Sequence, residues 1–298
     1  MVRILRAKGG LYLLLAIPMA WYLLFRYYPM YGAQLAFRKF NPRLGIAGSP
    51  WMGLYYFQMF FSSYYFGSIL WNTLSLNLYQ LAVGFPIPIL LALLIHEIDH
   101  RGWKKLVQNV TYIPHFLSVV VVVGMLNIFL NEKYGAITRF LTVFGLPQGD
   151  YMAKANAFQT VYVLSNVWQH MGWNSIIYIA ALTAIDPSLY EAATIDGATR
   201  MQKIRHISIP CLLPTIIVLF ILQAGNLMDV GFEKVLLMQN TLNTGRSEVI
   251  STLVYKQGIQ KGQYSYTTAV GLFNSAINFV ILISVNTLAK RVAGHSLW

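Results

Sequence analysis

The sequence predicts an all-α membrane protein of six transmembrane helices with a cytoplasmic helical loop, organised as a single domain over 1–298. Three observations carry that prediction. Hydrophobic residues make up 56% of the chain and charged ones only 11%, with a mean hydropathy of +0.53, whereas a soluble domain carries about 25% charged residues. Apolar runs recur along the chain, and about 20 helical residues suffice to cross a hydrocarbon core of about 30 Å. The net charge of +12 sits mostly between those runs, which is how membrane proteins place basic residues and not how a nucleic-acid surface is built. The composition excludes a disordered chain and a collagen-like repeat. One cysteine, Cys211, excludes an internal disulfide framework and a multi-cysteine metal cage.

The first run, 11–31, follows Arg3, Arg6 and Lys8. It continues through Trp21, Tyr22 and Phe25 with no small-x-small cleavage site behind it, so a retained helix is expected in place of a removed signal peptide. Further spans are expected at 67–95, 109–130, 157–183, 211–229 and 266–289. An N-terminus inside the cell puts 1–10, 96–108, 184–210 and 290–298 in the cytoplasm. Those 59 residues hold 11 of the 22 Lys and Arg, a basic density that favours this orientation with both termini inside. The loop with Arg101, Lys104 and Lys105 is its strongest single support.

Residues 51–66 hold nine aromatics in sixteen positions. They suit an interfacial belt at the outer face, a stacking surface for sugar rings, or both. No internal repeat, low-complexity segment or Pro/Gly/Ser linker interrupts the chain.

The loop 186–210, DPSLYEAATIDGATRMQKIRHISIP, is the most informative stretch. Asp186 followed by Pro187 starts a helix, with a side-chain acceptor at the N-cap and proline at the first helical position. Leu189, Ala192 and Ala193 give that helix a small apolar face, and Gly197 can end it in a left-handed conformation. A second, basic helix from Ala198 to about His206 is expected to lead to Pro210 at the next membrane crossing. Two short helices about a glycine turn make a protruding knob suited to docking a cytoplasmic partner.

Glu191-Ala192-Ala193, Asp196-Gly197-Ala198, Ile207 and Pro210 together resemble the EAA loop of binding-protein-dependent ABC importer permeases. Ile204 and Ile209 depart from the commonest residues of that pattern but remain apolar. Gly53 to Phe57, Asn72-Thr73-Leu74, Phe85-Pro86-Ile87-Pro88 with the following LALL, and Tyr112-Ile113-Pro114-His115-Phe116 are similar to the LplB-like polysaccharide permeases, a subgroup of the sugar-importing, maltose-permease-like family. The resemblance implies one half of a heterodimeric channel in a bacterial cytoplasmic (inner) membrane. Its implied partners are a second homologous permease, two ATP-binding subunits, an extracytoplasmic solute-binding protein, a saccharide and the lipid bilayer. It further implies that Glu191, Ala192, Ala193, Asp196, Gly197 and Ala198 couple to the ATPase, and that ATP and Mg belong to that partner. In agreement, no GxxxxGK[ST] loop exists in this chain to cradle nucleotide phosphates. The chain is expected to be a transport subunit and not an enzyme, without cofactor, catalytic residue or metal of its own.

A competing motif is HEIDH at 96–100, which fits the H-E-x-x-H zinc-protease pattern. On one helix His96 and His100 would share a face, with Glu97 placed to activate a zinc-bound water. A third ligand is missing nearby: His115, His170, His206 and His295 lie in other segments.

Polar residues inside spans face a cavity or another helix. Candidates to line a pathway are Asn166, Gln169, His170, Trp173 and Asn174 on the fourth span, Gln223, Asn226 and Asp229 on the fifth, and Asn274 and Asn278 on the sixth. Asn72, Asn77 and Gln80 lie in the second. Amides beside aromatics suit a hydroxyl-rich ligand, and helix–helix hydrogen bonding would use the same residues. Asp229 is the one carboxylate in the expected spans, too little for an ion channel or proton-coupled carrier. The outer loops carry Arg38, Lys39, Arg43, Lys133, Arg139, Lys154, Lys234, Arg246, Lys256 and Lys261 against Glu132, Asp150, Glu233 and Glu248. A positive mouth would favour an anionic, alginate-like or other uronate glycan. Lipid headgroups or an acidic patch on the binding protein would account for the same charges.

Overall fold

A computed structural model of the chain describes residues 9–145, 147–294 and 296–297, and no β-strand occurs among them. The basic cluster Arg3, Arg6 and Lys8, and also His295, lie outside the described residues. Four helices are long and apolar enough to cross a membrane: Gly10–Phe37, Phe66–His96, Arg200–Ala224 and Tyr264–Val292. Two bent pairs raise the number to six: Arg101–Phe116 with Val119–Phe129, and Ala155–Thr183 with Pro187–Ile195. The described residues group into two compact units.

One unit lies within Met1–Tyr64 and Val254–Phe273. Its helix α1 (Gly9–Tyr22) runs on through a π turn, Leu23–Tyr27, and a 3-10 segment, Tyr28–Phe37. Leu13, Leu14 and Ile17 are each about 70% exposed, the surface that suits a lipid-facing helix. The aromatic stretch contributes α2 (Tyr55–Phe61), whose Phe60 is buried edge-on against Tyr266 and Phe273. Trp51 stacks on Phe37 at 5.5 Å with the Arg38 guanidinium over it. Several of the nine aromatics are therefore used in packing, while Tyr64 stays 92% exposed.

The other unit, Tyr65–Leu253 with Asn274–Trp298, holds the larger core. Helix α3 (Phe66–Gly84) passes into α4 (Pro86–His96) without a break, because Pro86 falls at a first-turn position where its missing N–H is not needed. Asn72 and Thr73 of α3 fix a distant loop: Asn72 donates to the Gly245 and Glu248 carbonyls at 3.1 Å each, and Thr73 accepts from the Ile250 N–H at 3.0 Å.

The third expected span, 109–130, is not one helix. Helix α5 (Arg101–Tyr112) and the 3-10 turn Ile113–Phe116 meet α6 (Val119–Phe129) at 101°. Leu117 is extended, and Ser118 restarts the helix by accepting from the Val121 N–H at 3.3 Å. The Leu117 carbonyl freed at the break accepts from Gln169 Nε2 at 3.0 Å, which is how a broken helix is tolerated in an apolar setting. Beyond α6 lies α7 (Ala136–Val143).

Helix α8 (Ala155–Thr183) packs along α3, α4 and α5. Gly172 makes its approach to α5 possible, since a Cβ there would collide with the Thr111 carbonyl. After a 70° bend come α9 (Pro187–Ile195) and α10 (Arg200–Lys203). The knob's second helix, expected from Ala198 to about His206, does not stop there. It runs unbroken from Arg200 through a π turn, Ile204–Ser208, into α11 (Ile209–Ala224). In the π turn the Ile209 N–H bonds the Ile204 carbonyl, and this wider register leaves room for the proline that follows. The fifth span accordingly starts earlier than 211 and stops at Ala224, not at 229. Helices α12 (Phe232–Met238) and α13 (Tyr264–Ala293) complete the chain, α12 folding back on α6.

Candidate functional site

Helices α3, α8 and the end of α11 enclose a cavity of about 400 Å³. Its walls are rich in amides: Asn77 and Gln80 from α3, Asn166 and Asn174 from α8, Gln223 and Asn226 from α11 and the turn after it. His170, Tyr162 and Asp229 complete the polar lining. Asn77 and Asn226 return their amides to helix carbonyls, Thr73 and Leu222. The side chains of Asn166, Asn174 and Gln223 engage no other group among the described residues, so their donors and acceptors stay available to a ligand. A second cavity of about 340 Å³ shares Gly84, Asn174, Gln223 and Asn226 with the first and continues between Phe85, Pro88, Ile177, Tyr178, Leu219 and Leu222. The two cavities together run from the amide-lined chamber toward the end of α8 that leads to the 186–210 loop, with more apolar side chains around the second.

The expected fourth-span stripe divides in two. Asn166, His170 and Asn174, spaced by four, face the cavity. Gln169 and Trp173 face the 113–117 turn instead. Gln169 is buried and bonded to Leu117, and Trp173 stacks on His115 at 4.4 Å with planes 3° apart. Those two hold the broken third span in place. Asn274 and Asn278 do not line the chamber themselves: both donate to Asp229, at 2.8 and 3.1 Å, while Asn278 Oδ1 accepts from the Met228 N–H at 2.8 Å. They orient the one carboxylate that does. Asp229 was expected among the pathway candidates of the fifth span and does line the chamber; Tyr162 offered no signal, because an aromatic in a span is ordinarily core.

Lys234 also departs from expectation. Counted among outer-loop charges, it is in fact only 4% exposed, because α12 tucks it into the core beside Tyr162.

The 186–210 loop is tightly made. Asp186 accepts from the Ser188 N–H at 2.9 Å, and its bonds to the Ser188 backbone and hydroxyl hold its carboxyl below the usual carboxylate range. At the other end of α9, Gly197 takes φ +77°, with its N–H on the Thr194 carbonyl at 3.1 Å and the Ala198 N–H on the Ala193 carbonyl at 2.9 Å, a complete Schellman turn. Thr199 and Gln202 form a capping box on α10, and Lys203 reaches back to Thr194 at 2.8 Å. Glu191, Ala192, Asp196 and Gly197 are exposed, with Ala193 and Ala198 half-buried. Ile195 is 87% exposed, an uncovered apolar side chain at the tip.

HEIDH does not form the expected helical pair. α4 ends at His96 with Glu97 as its C-cap, and His100 is the N-cap of α5, its Nδ1 accepting from the Trp103 N–H. The two histidines belong to different helices, and no group of three or more His, Cys, Asp or Glu side chains among the described residues could hold a metal. The segment braces the loop instead: the His96 ring lies 5.8 Å from Tyr190, whose hydroxyl meets Ser208 at 3.0 Å, and Asp99 pairs with Arg200 at 2.9 Å.

Comparison with known proteins matches residues 60–294 to the family described as binding-protein-dependent transport system inner membrane component. The polygalacturonan/rhamnogalacturonan transport system permease protein YteP of Bacillus subtilis (strain 168) is 41% identical over 97% of this chain and 90% of its own length. Protein LplB of the same organism is 39% identical over 96% and 90%. Among solved structures, a chain of a bacterial ABC transporter involved in the import of the acidic polysaccharide alginate superposes with a TM-score of 0.88 at 38% identity, covering 97% of this chain and 98% of that one. A chain of the bacterial alginate ABC transporter in complex with an alginate pentasaccharide-bound periplasmic protein gives 0.90 at 36% identity, covering 100% and 99%.

Proposed function

The chain belongs to the binding-protein-dependent transport system inner membrane components and is a membrane permease subunit, not an enzyme; from that membership we propose that it passes an acidic oligo- or polysaccharide. The observation that carries the proposal is an amide-rich chamber, with Asn166, Asn174 and Gln223 free to bond a ligand, that continues between Phe85, Ile177, Tyr178 and Leu219. Pyranose units offer paired hydroxyl donors and acceptors at their edges and apolar faces between them, which matches both parts of the route. The acidic character is supported by the surplus of basic residues in the outer loops and by the alginate and polygalacturonan importers to which this chain is similar.

The chain would form half of the pathway beside a second homologous permease in the bacterial inner membrane, with both termini in the cytoplasm. It would receive cargo from an extracytoplasmic binding protein and dock onto one of the complex's two ATP-binding subunits, which hold ATP and Mg. Docking falls to the 186–210 loop, with Glu191 as charged contact, Ala192, Ala193 and Ala198 as close-approach surface, and Asp196-Gly197 as the turn that sets its shape. The mechanics follow from connectivity. The loop joins the end of α8 to the unbroken α10–α11 rod, and Ala92, Leu93, Tyr178, Leu182 and Leu212 pack these helices together beside it. Those two helices carry Asn166, His170 and Asn174 on one side of the chamber and Gln223 on the other. A displacement of the loop therefore tilts both walls at once, a rigid-body route to alternating access.

The test is uptake by the assembled complex in proteoliposomes, comparing uronate with neutral oligosaccharides of equal length. Greater uptake of the neutral series would refute the acidic reading.

A further inference from the structure

The ammonium of Lys234 lies over the ring of Tyr162, a residue of the chamber wall, and has no part in the route described above. The side chain is 4% exposed, and its Nζ has neither a hydrogen-bond nor an ion-pair partner among the described residues. Buried cations are ordinarily paired, and one left unpaired calls for an explanation. The nearest chamber carboxylate, Asp229, already accepts from Asn274 and Asn278. The centroid of the Tyr162 ring lies 5.4 Å from Nζ, and His170, whose ring meets that of His115 at 5.3 Å, is near enough to feel the ammonium's charge. Helix α6, against which α12 packs, contributes no titratable group. Tyr162, His170 and Gly231 all line the chamber. A positive centre thus sits beside the Tyr162 ring of the wall, with Asp229 the opposing charge in the same lining.

We propose that Lys234 is the specificity-determining charge of the chamber, drawing a carboxylate-bearing sugar unit to the wall formed by Tyr162 and His170. This rests on the acidic-cargo reading and adds the residue that senses the acid. Position explains function: a carboxylate in direct contact with an ammonium would be held, whereas one attracted across a low-dielectric ring is favoured yet free to move on, as a transport route requires. Burial pushes the Lys234 ammonium down to about 8, so at pH 7 about nine in ten molecules still carry the charge.

The test uses the assembled complex in proteoliposomes with its binding protein, a galacturonate tetrasaccharide, and the same tetrasaccharide as its neutral methyl ester. Lys234→Met should lower kcat/KM for the acid about tenfold and change the ester less than about twofold. Lys234→Arg should keep the preference for the acid. The wild-type acid-to-ester ratio should fall as the pH rises through about 8 and stay level in Lys234→Arg, whose guanidinium does not titrate there. Binding-protein-stimulated ATP hydrolysis reports assembly of each variant. An unchanged acid preference in Lys234→Met, or equal losses for acid and ester, would overturn the inference while leaving the acidic cargo intact. A wild-type complex that takes the ester as well as the acid would overturn the acidic reading and this inference with it.

Discussion

Replacement of Gly197 tests the coupling role of the 186–210 loop with a magnitude that the geometry supplies. The residue sits at φ +77°, and a Cβ built there meets nothing within 4 Å. Substitution therefore acts through backbone conformation and not through a clash. Alanine held in the left-handed region costs about 1–2 kcal/mol, and a tenfold shift corresponds to about 1.4 kcal/mol, so the closed turn in Gly197→Ala should lose about 5- to 30-fold in population relative to alternatives. Asparagine enters that region more readily, so Gly197→Asn should lose less. Proline cannot enter it at all, since its ring fixes φ near about −65°. Gly197→Pro also removes the N–H that bonds Thr194 and displaces the Ala198 N–H from Ala193, a further loss of about 2 kcal/mol for two backbone bonds. Coupled uptake and binding-protein-stimulated ATP hydrolysis should then fall in the order Gly, Asn, Ala, Pro, with uptake abolished in Gly197→Pro and equal protein in the membrane throughout. Transport by Gly197→Pro at the wild-type rate would refute the coupling assignment. A loss that ignored the order would show that backbone geometry at this position is not what the partner reads.

Asn166→Ala and Asn174→Ala should each raise KM for the saccharide about fivefold, the worth of one hydrogen bond of about 1 kcal/mol, without lowering the melting temperature of the purified complex. Gln169→Ala should do the reverse, because it orphans the Leu117 carbonyl: stability falls by about 1–3 kcal/mol while KM stays put, and thermal unfolding beside uptake kinetics separates the two. Gly172→Ala should destabilise by about 1–3 kcal/mol through overpacking against Thr111, and an unshifted melting temperature would remove the close-approach argument. Glu97→Ala should leave uptake within about twofold of wild type, since Glu97 serves only as a helix end; loss of all activity would revive the zinc reading of HEIDH.

Signals of short range carried most of what could be read in the sequence. Asp186-Pro187 and Gly197 specify their turns within four residues, because a cap and a left-handed glycine need only local backbone partners. Apolar length alone gives α8 to within two residues, whereas α13 runs on past the expected 289 to Ala293. What escaped was decided by partners far away in the chain. The third span carries Pro114 in plain view, yet proline is tolerated inside membrane helices. Whether it breaks one depends on who satisfies the freed carbonyl, and here that is Gln169, 52 residues on. Helical periodicity put Gln169 and Trp173 on the same face as Asn166, His170 and Asn174, since steps of three and four both return to one side. Separating the two rows required knowing that the 113–117 turn packs against one and empty volume against the other. Lys234 was misread for the same reason. A lysine between two spans is a surface charge unless its own short helix folds back under a distant one, and α12 does so against α6. A polar side chain in a span announces only that it must have a partner. Asn72 finds a loop, Gln169 a carbonyl and Asn278 an aspartate, so among the described residues the candidates for cargo are chamber groups left over when the chain has finished satisfying itself, Gln80, Asn166, Asn174 and Gln223, with the ammonium of Lys234 close by.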